Sequence, residues 1–220
     1  MLILYTLFAM LMKLNNEYTH KLLAAEDIFF EMFDANNRKV RPDCSSYLYS
    51  HRTNVGMHIN FDMHRKQRLL YETAKKATNV LEIGTYLAHS TLIMLLANPK
   101  LNIITIDQHS AYSAKPVEVL QKHFPEASVH FVHGLSVNVI PTLSGPFDFF
   151  HVDGSHSDDV VLEEIKLCMP LKSTASNTMF LLDDVKGVPR AQTLLSTHPK
   201  KLTEAGVNGR SPNWVVTLAP

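Results

Sequence analysis

Hydrophobic and polar positions change period part-way along the chain. Residues 18–34 carry Leu22, Leu23, Ile28, Phe29, Met32 and Phe33 at helical spacing, with Asp27, Glu31 and Asp34 between them, which predicts one amphipathic helix. Residues 62–77 predict another. From Val80 onward, short apolar runs alternate with helical stretches. The strand-like runs are VLEI (80–83), NIITID (102–107), SVHFVH (128–133), FDFFHVD (147–153) and TMFLLDD (178–184). The helical stretches between them are 88–97, 114–123, 136–143 and 157–168. A helix from about Arg190 precedes a last strand-like run, WVVTLAP. Such alternation predicts the α/β class, with a doubly wound, mostly parallel sheet covered on both faces. The stretch from Asn36 to Asn60 is polar and punctuated by Pro42 and Gly56, and it is expected to be a loop or short helix serving as a lid.

Length and charge narrow the picture. The chain has 220 residues and is 45% hydrophobic, enough for one domain, residues 1–220. Within it, residues 1–60 are expected to form N-terminal helices and a lid, and 61–220 the core of the domain. Basic and acidic residues number 21 each, so nothing favours nucleic acid or an anionic membrane as partner. The densest basic run, His64-Arg65-Lys66-Gln67-Arg68, falls in a helical pattern and reads as a solvated helix face. Cys44 and Cys168 lie far apart and outside any CxxC spacing. This points to a reducing compartment, hence a cytoplasmic protein, and away from a cysteine zinc site. The apolar opening MLILYTLFAMLM is too short for a spanning helix, which needs ~20 residues. It also lacks the leading positive charge of a signal peptide. It is expected to pack on the domain or to pair two copies as a homodimer, with a membrane-surface anchor or uncleaved signal as alternatives.

The chemistry gathers after the strands. In open α/β sheets ligands sit beyond the carboxyl ends of the strands, which selects Gly84–Tyr86, Asp107–His109, Gly134–Ser136, Asp153–His156 and Asp183–Asp184. VLEIGTYLAHST is a strand, a glycine turn and a helix start, a site for a nucleotide-like ligand. Asp107 ends the second strand, where a carboxylate can accept both hydroxyls of a ribose. These features alone suit NAD, FAD, S-adenosylmethionine or no ligand, with Asp107 then merely capping or solvating its strand end. Three acids, Asp153, Asp183 and Asp184, end adjacent strands and require something positive between them. Oxygen ligands without cysteine suit Mg²⁺ or Mn²⁺; helix N-capping is the alternative for each Asp. His156 is a candidate general base, or else a surface histidine opening a helix. His151, inside its strand, reads as a satisfied core residue.

VLEIGTYLAHS resembles the first motif of class I S-adenosylmethionine-dependent methyltransferases. The form is that of catechol O-methyltransferase and its small-molecule and sugar O-methyltransferase relatives, which place a tyrosine at the second glycine. The resemblance runs from about Asn54 to Asp184. It implies a Rossmann-like sheet of seven strands with an antiparallel C-terminal strand. It places Val55 and Gly56 over the cofactor's methyl end, and Glu82, Gly84, Tyr86 and Ser90 on its methionine part. Asp107 falls on the ribose, with Gln108 beside it, and Gly134 and Ser136 on the adenine side. Asp153, Asp183 and Asp184 fall on the metal ligands, with Asp153 also bordering the cofactor and the reacting groups. His156 falls where catechol O-methyltransferase has its lysine base. DGSH followed by an acidic helix, then LLDDV, looks most like the sugar-type branch.

The departures are LKSTASNTMF in place of a Pro-Gly-Gly loop, Ala88-His89 in place of glycine–tyrosine, and Gln108-His109 where an apolar residue often flanks adenine. The implied activity is metal-dependent methyl transfer to a hydroxyl of a small molecule, with a sugar or glycan end favoured. The alternatives are a catechol-type O-methyltransferase and a non-catalytic cofactor-binding protein on the same fold. A nicotinamide dehydrogenase ranks lower because G-x-G-x-x-G is absent.

Overall fold

The computed structural model describes residues 16–38, 47–48, 61–198, 200–205 and 213–220. Two helices open it, α1 (Glu17–Ala24) and α2 (Glu26–Ala35). Asn16 caps α1 by accepting the Thr19 N–H at 3.1 Å, as N-cap asparagines do. The sequence predicted one helix over 18–34; instead the backbone leaves the helical region at Ala25, φ −98° and ψ 13°. The bend lets Leu22, Phe29 and Met32 bury in the same core. Helix α3 (Phe61–Ala74) then leads into the sheet.

The sheet elements are β1 (Asn79–Ile83), α4 (His89–Ala97), β2 (Asn102–Asp107), α5 (Ser110–His123) and β3 (Ser128–His133). Then come α6 (Ser136–Val139), β4 (Phe149–Val152), α7 (Asp158–Cys168), β5 (Thr178–Leu182), α8 (Pro189–Ser196), β6 (Lys200–Ala205) and β7 (Asn213–Leu218). Spatial order is β3-β2-β1-β4-β5-β7-β6. Strands β1 to β5 are parallel, and β7 runs antiparallel between β5 and β6. This is the expected seven-stranded Rossmann-like sheet with an antiparallel C-terminal strand. Strand β6 was not found from sequence because KKLTEA carries no apolar alternation. Helix α5 begins at Ser110, ahead of the expected 114, and holds Pro116 in its interior, where proline forfeits a backbone hydrogen bond.

The strand order reverses between β1 and β4, which opens a crevice there. Side chains of β1 alternate between two cores, as a period of two dictates. Val80 joins the layer of α1 to α5, with Leu92, Phe29 and Val117. Leu81 and Ile83 join the layer of α7 and α8, with Ile165 and Leu195. In that second layer Phe150 stacks on Phe180 with centroids 4.5 Å apart. Glu82 shares the face of Val80, which sends a carboxylate toward α4. Among the described residues no helix is long and apolar enough to cross a membrane.

Candidate functional site

The turn after β1 approaches the turn after β4 so closely that only glycine fits. A Cβ on Gly84 would lie 2.3 Å from the Asp153 carbonyl oxygen, and its φ is +94°. Beyond it, Tyr86 and Ala88 also adopt left-handed backbone, φ 43° and 57°, a region that glycine enters without strain. That costs roughly 1–2 kcal/mol per residue. Asp107 holds the strained turn: its carboxylate accepts the Tyr86 N–H at 2.7 Å and the His109 N–H at 2.7 Å. A carboxylate has about four acceptor positions, so two remain for a ligand diol.

An open cavity of about 390 Å³ lies over these turns. Of the residues predicted from sequence, Gly84, Tyr86, Ser90, Asp107, Gln108, Gly134, Ser136, Asp153 and His156 border it. Val55 and Gly56 lie outside the described residues.

Glu82 does not border the cavity. It is fully buried, and its carboxylate is consumed by the protein. Oε1 accepts the Ser90 hydroxyl at 2.5 Å, and Oε2 accepts those of Thr91 at 2.5 Å and Thr105 at 2.7 Å. His151 Nδ1 stands 3.2 Å from Oε1. Glu82 therefore positions Ser90, which does face the cavity.

At the far side, the Ser136 hydroxyl donates to Glu164 Oε1 at 2.5 Å. Glu164 borders the cavity, and its Oε2 is buried without a hydrogen-bond partner among the described residues. An unpaired buried acceptor beside a cavity wants a donor from whatever fills it. Burial pushes the Glu164 carboxyl up to about 7, against the pull of Ser136. The unfolded chain therefore releases this proton at lower pH than the native one. Native Glu164 loses stability as pH rises from about 4.5 to about 7, and the loss persists above that window. Glu164→Gln mimics the protonated acid. Relative to the parent, it is expected to gain up to ~3 kcal/mol across that window. Urea denaturation of both proteins at pH 5 and pH 8 checks this.

The three aspartates do gather, but with a lysine among them. Lys66, on α3, places Nζ 3.0 Å from Asp183 Oδ1 and 2.9 Å from Asp184 Oδ1. It is 2% exposed, so the basic run is not a wholly solvated face. Positions 66, 67, 70, 71 and 74 share the buried side of α3, and this spacing of three and four was the available signal. Burial opposes the Lys66 charge, but Asp183 and Asp184 outweigh it and hold the ammonium above its ordinary range. Burial, then the Asp183 carboxylate, push the Asp153 carboxyl well above the usual range.

The cluster extends through Tyr47, which sequence reasoning also missed. Its hydroxyl donates to Asp183 Oδ1 at 3.1 Å and accepts from Asn213 Nδ2 at 2.8 Å, with His151 Nε2 3.3 Å away. Asp184 sits in left-handed backbone, φ 46°. It turns Oδ2 toward His156 Nδ1, 3.8 Å away, and the His156 side chain is 72% exposed.

This donor set does not fit the divalent ion expected from sequence. Among the described residues, no group of three or more His, Cys, Asp or Glu is arranged to hold a metal. A metal sharing the oxygens that Lys66 contacts would sit within roughly 5 Å of its ammonium, at metal–oxygen distances of ~2.1 Å. At an effective dielectric of ~20 that repulsion is on the order of 6 kcal/mol.

A family model described as a methyltransferase domain matches residues 81–185. Among characterised relatives, the chain is 26% identical to O-methyltransferase ankF of Aspergillus thermomutatus over 133 residues, 59% of this chain and 55% of that protein. It is 24% identical to O-methyltransferase hkm8 of Aspergillus hancockii over 90 residues, 40% of this chain and 36% of that one. The chain thus spans about half the length, or less, of these relatives. Among solved structures, the O-methyltransferase TomG of Streptomyces achromogenes, in complex with S-adenosylmethionine, superposes with a TM-score of 0.62 at 18% identity, covering 88% of this chain and 90% of that one. The Podospora anserina methyltransferase PaMTH1, bound to S-adenosylhomocysteine, gives 0.61 at 17% identity, covering 92% and 95%. At these identities the likeness establishes the fold.

Proposed function

We propose that this chain, which carries a methyltransferase domain on the class I methyltransferase fold, transfers a methyl group from S-adenosylmethionine to a hydroxyl of a small molecule. The observation that carries this reading is one continuous cavity with a ribose-type carboxylate, Asp107, on one side and an exposed histidine, His156, on another. The fold likeness to methyltransferases solved with this cofactor or its product supports it.

The residues fit the cofactor. Asp107 keeps two acceptor positions for the ribose hydroxyls. Ser136 and Glu164, both bordering the cavity, would hold the adenine, whose amino group could satisfy Glu164 Oε2. Gln108 and Gly134 line the same side, and Gly84, Tyr86, Ser90 and Asp153 line the methionine side. Val55 and Gly56 belong to the proposal as the segment closing over the methyl end. When bound, S-adenosylmethionine would supply a sulfonium methyl as the electrophile for the acceptor oxygen, with the neutral thioether as leaving group. His156 takes the acceptor's proton, and Asp184 faces the imidazole from behind. Orientation of the two reactants in one cavity supplies much of the acceleration, up to ~7–11 kcal/mol for well-aligned groups. No step is assigned to a divalent ion, because Lys66 holds Asp183 and Asp184.

The acceptor is a small hydroxylated molecule, with a sugar or glycan end favoured over a catechol. The polar groups at that side, Tyr47, Asp153, Ser155 and His156, suit a hydroxyl-rich acceptor better than a flat aromatic one. Incubation with methyl-labelled S-adenosylmethionine and a panel of sugars, catechols and RNA tests this. Label on sugars supports the reading; label on RNA alone, with a steep salt dependence, contradicts it. Pairing of two copies through the apolar residues 1–12 belongs to the same proposal. Sedimentation with and without that segment decides it.

Asp107→Ala is expected to weaken S-adenosylhomocysteine binding by ~1.5–3 kcal/mol, a factor of ~10–150. It removes both the charged acceptor and the support of the Tyr86 turn. Calorimetric titration of parent and variant reads the difference. Equal affinities would detach Asp107 from the ligand.

A further inference from the structure

Asp183 and Asp184 carry their own cation. The Lys66 ammonium has three donors, and two of them reach Asp183 Oδ1 and Asp184 Oδ1. The lysine is not on a loose arm. Its neighbour Gln67, fully buried, accepts the Tyr18 hydroxyl at 3.1 Å and donates to the Tyr47 carbonyl at 2.5 Å. These bonds pin α3 against the segment that presents Tyr47, and Tyr47 in turn donates to Asp183.

We propose that Lys66 stands where metal-dependent O-methyltransferases hold a divalent ion, so that methyl transfer by this chain runs without one. The proposal rests on the methyltransferase reading above for its reaction, but not for its binding test. An ammonium neutralises two carboxylates and cannot bind the acceptor oxygen as a Lewis acid does. The acceptor proton therefore depends on a protein base. Asp184 connects the two ends of this arrangement: Oδ1 meets Lys66 and Oδ2 faces His156. Lys66 is thus a positioning residue, acting on the acceptor through Asp184.

Mn²⁺ is the probe, because it favours oxygen ligands and its free concentration is read directly by paramagnetic resonance. The parent protein is expected to show no saturable Mn²⁺ site, and excess chelator is expected to leave its methyl-transfer rate unchanged. Lys66→Ala leaves two close carboxylates without a counter-ion, and it is expected to gain one saturable Mn²⁺ site. Lys66→Arg keeps the charge and should gain none. A saturable site on the parent would overturn the proposal, as would turnover lost to chelator and restored by Mn²⁺. A folded Lys66→Ala protein that still binds no Mn²⁺ would also overturn it. If Lys66→Ala does not fold, the parent and Lys66→Arg titrations still decide. The titrations need no acceptor, so failure to find methyl transfer would defeat the function reading and leave this test intact.

Discussion

His156→Gln is expected to lower the methyl-transfer rate by ~10²–10⁴, the range for loss of a general base. The side chain borders the cavity and is 72% exposed, so its replacement removes little packing. Its Nδ1 faces Asp184 Oδ2 at 3.8 Å, a base with a carboxylate behind it. Glutamine fills similar space and cannot take a proton. Calorimetry should therefore show S-adenosylhomocysteine bound as tightly as by the parent, while turnover collapses. That split separates a catalytic role from a structural one. A variant with the parent's rate would remove His156 from the mechanism and leave Asp184 or Asp153 to carry the proton.

Glu82→Ala is expected to cost ~3–5 kcal/mol of folding stability, the scale for disrupting a buried charged network. Three hydroxyl donors, Ser90, Thr91 and Thr105, end on this one carboxylate; without it, Ser90 and Thr91 lose this acceptor in a dry site, while Thr105 keeps the Thr85 hydroxyl at 2.6 Å. For a chain of this size the melting temperature should fall by ~2–4 °C per kcal/mol. Glu82→Gln should recover only part of the loss, because its amide brings a donor where donors already converge. Thermal unfolding followed by circular dichroism reads both. An unchanged melting temperature would mean that the network contributes nothing net and that Glu82 is free to serve the ligand.

These residues also show what could be read in advance. The five parallel strands were legible because each is a short apolar run bounded by helical spacing. The glycine turn and Asp107 were legible because a tight strand-to-helix turn and a strand-end acid have few other uses. Glu82 was placed on the ligand because it stands in that turn's motif. Its true direction follows from parity: position 82 shares a face with Val80, and both faces of β1 are buried, so no polar alternation marks which way it points. Lys66 was hidden by a window that counted charge rather than helix face. Glu164 was hidden in the same way, on the side of α7 that carries Val161, Ile165 and Cys168. The positive charge demanded between the three aspartates was inferred correctly as a need. Its source came from a helix distant in sequence, which no local pattern could supply.

The central claim is that the cavity over Gly84 and Asp107 takes S-adenosylmethionine. Calorimetric titration with S-adenosylhomocysteine, run beside NAD in the presence of chelator, tests it most directly. The account predicts saturable one-to-one binding of S-adenosylhomocysteine, weakened in Asp107→Ala, and no binding of NAD. Saturable NAD binding without S-adenosylhomocysteine binding would contradict it.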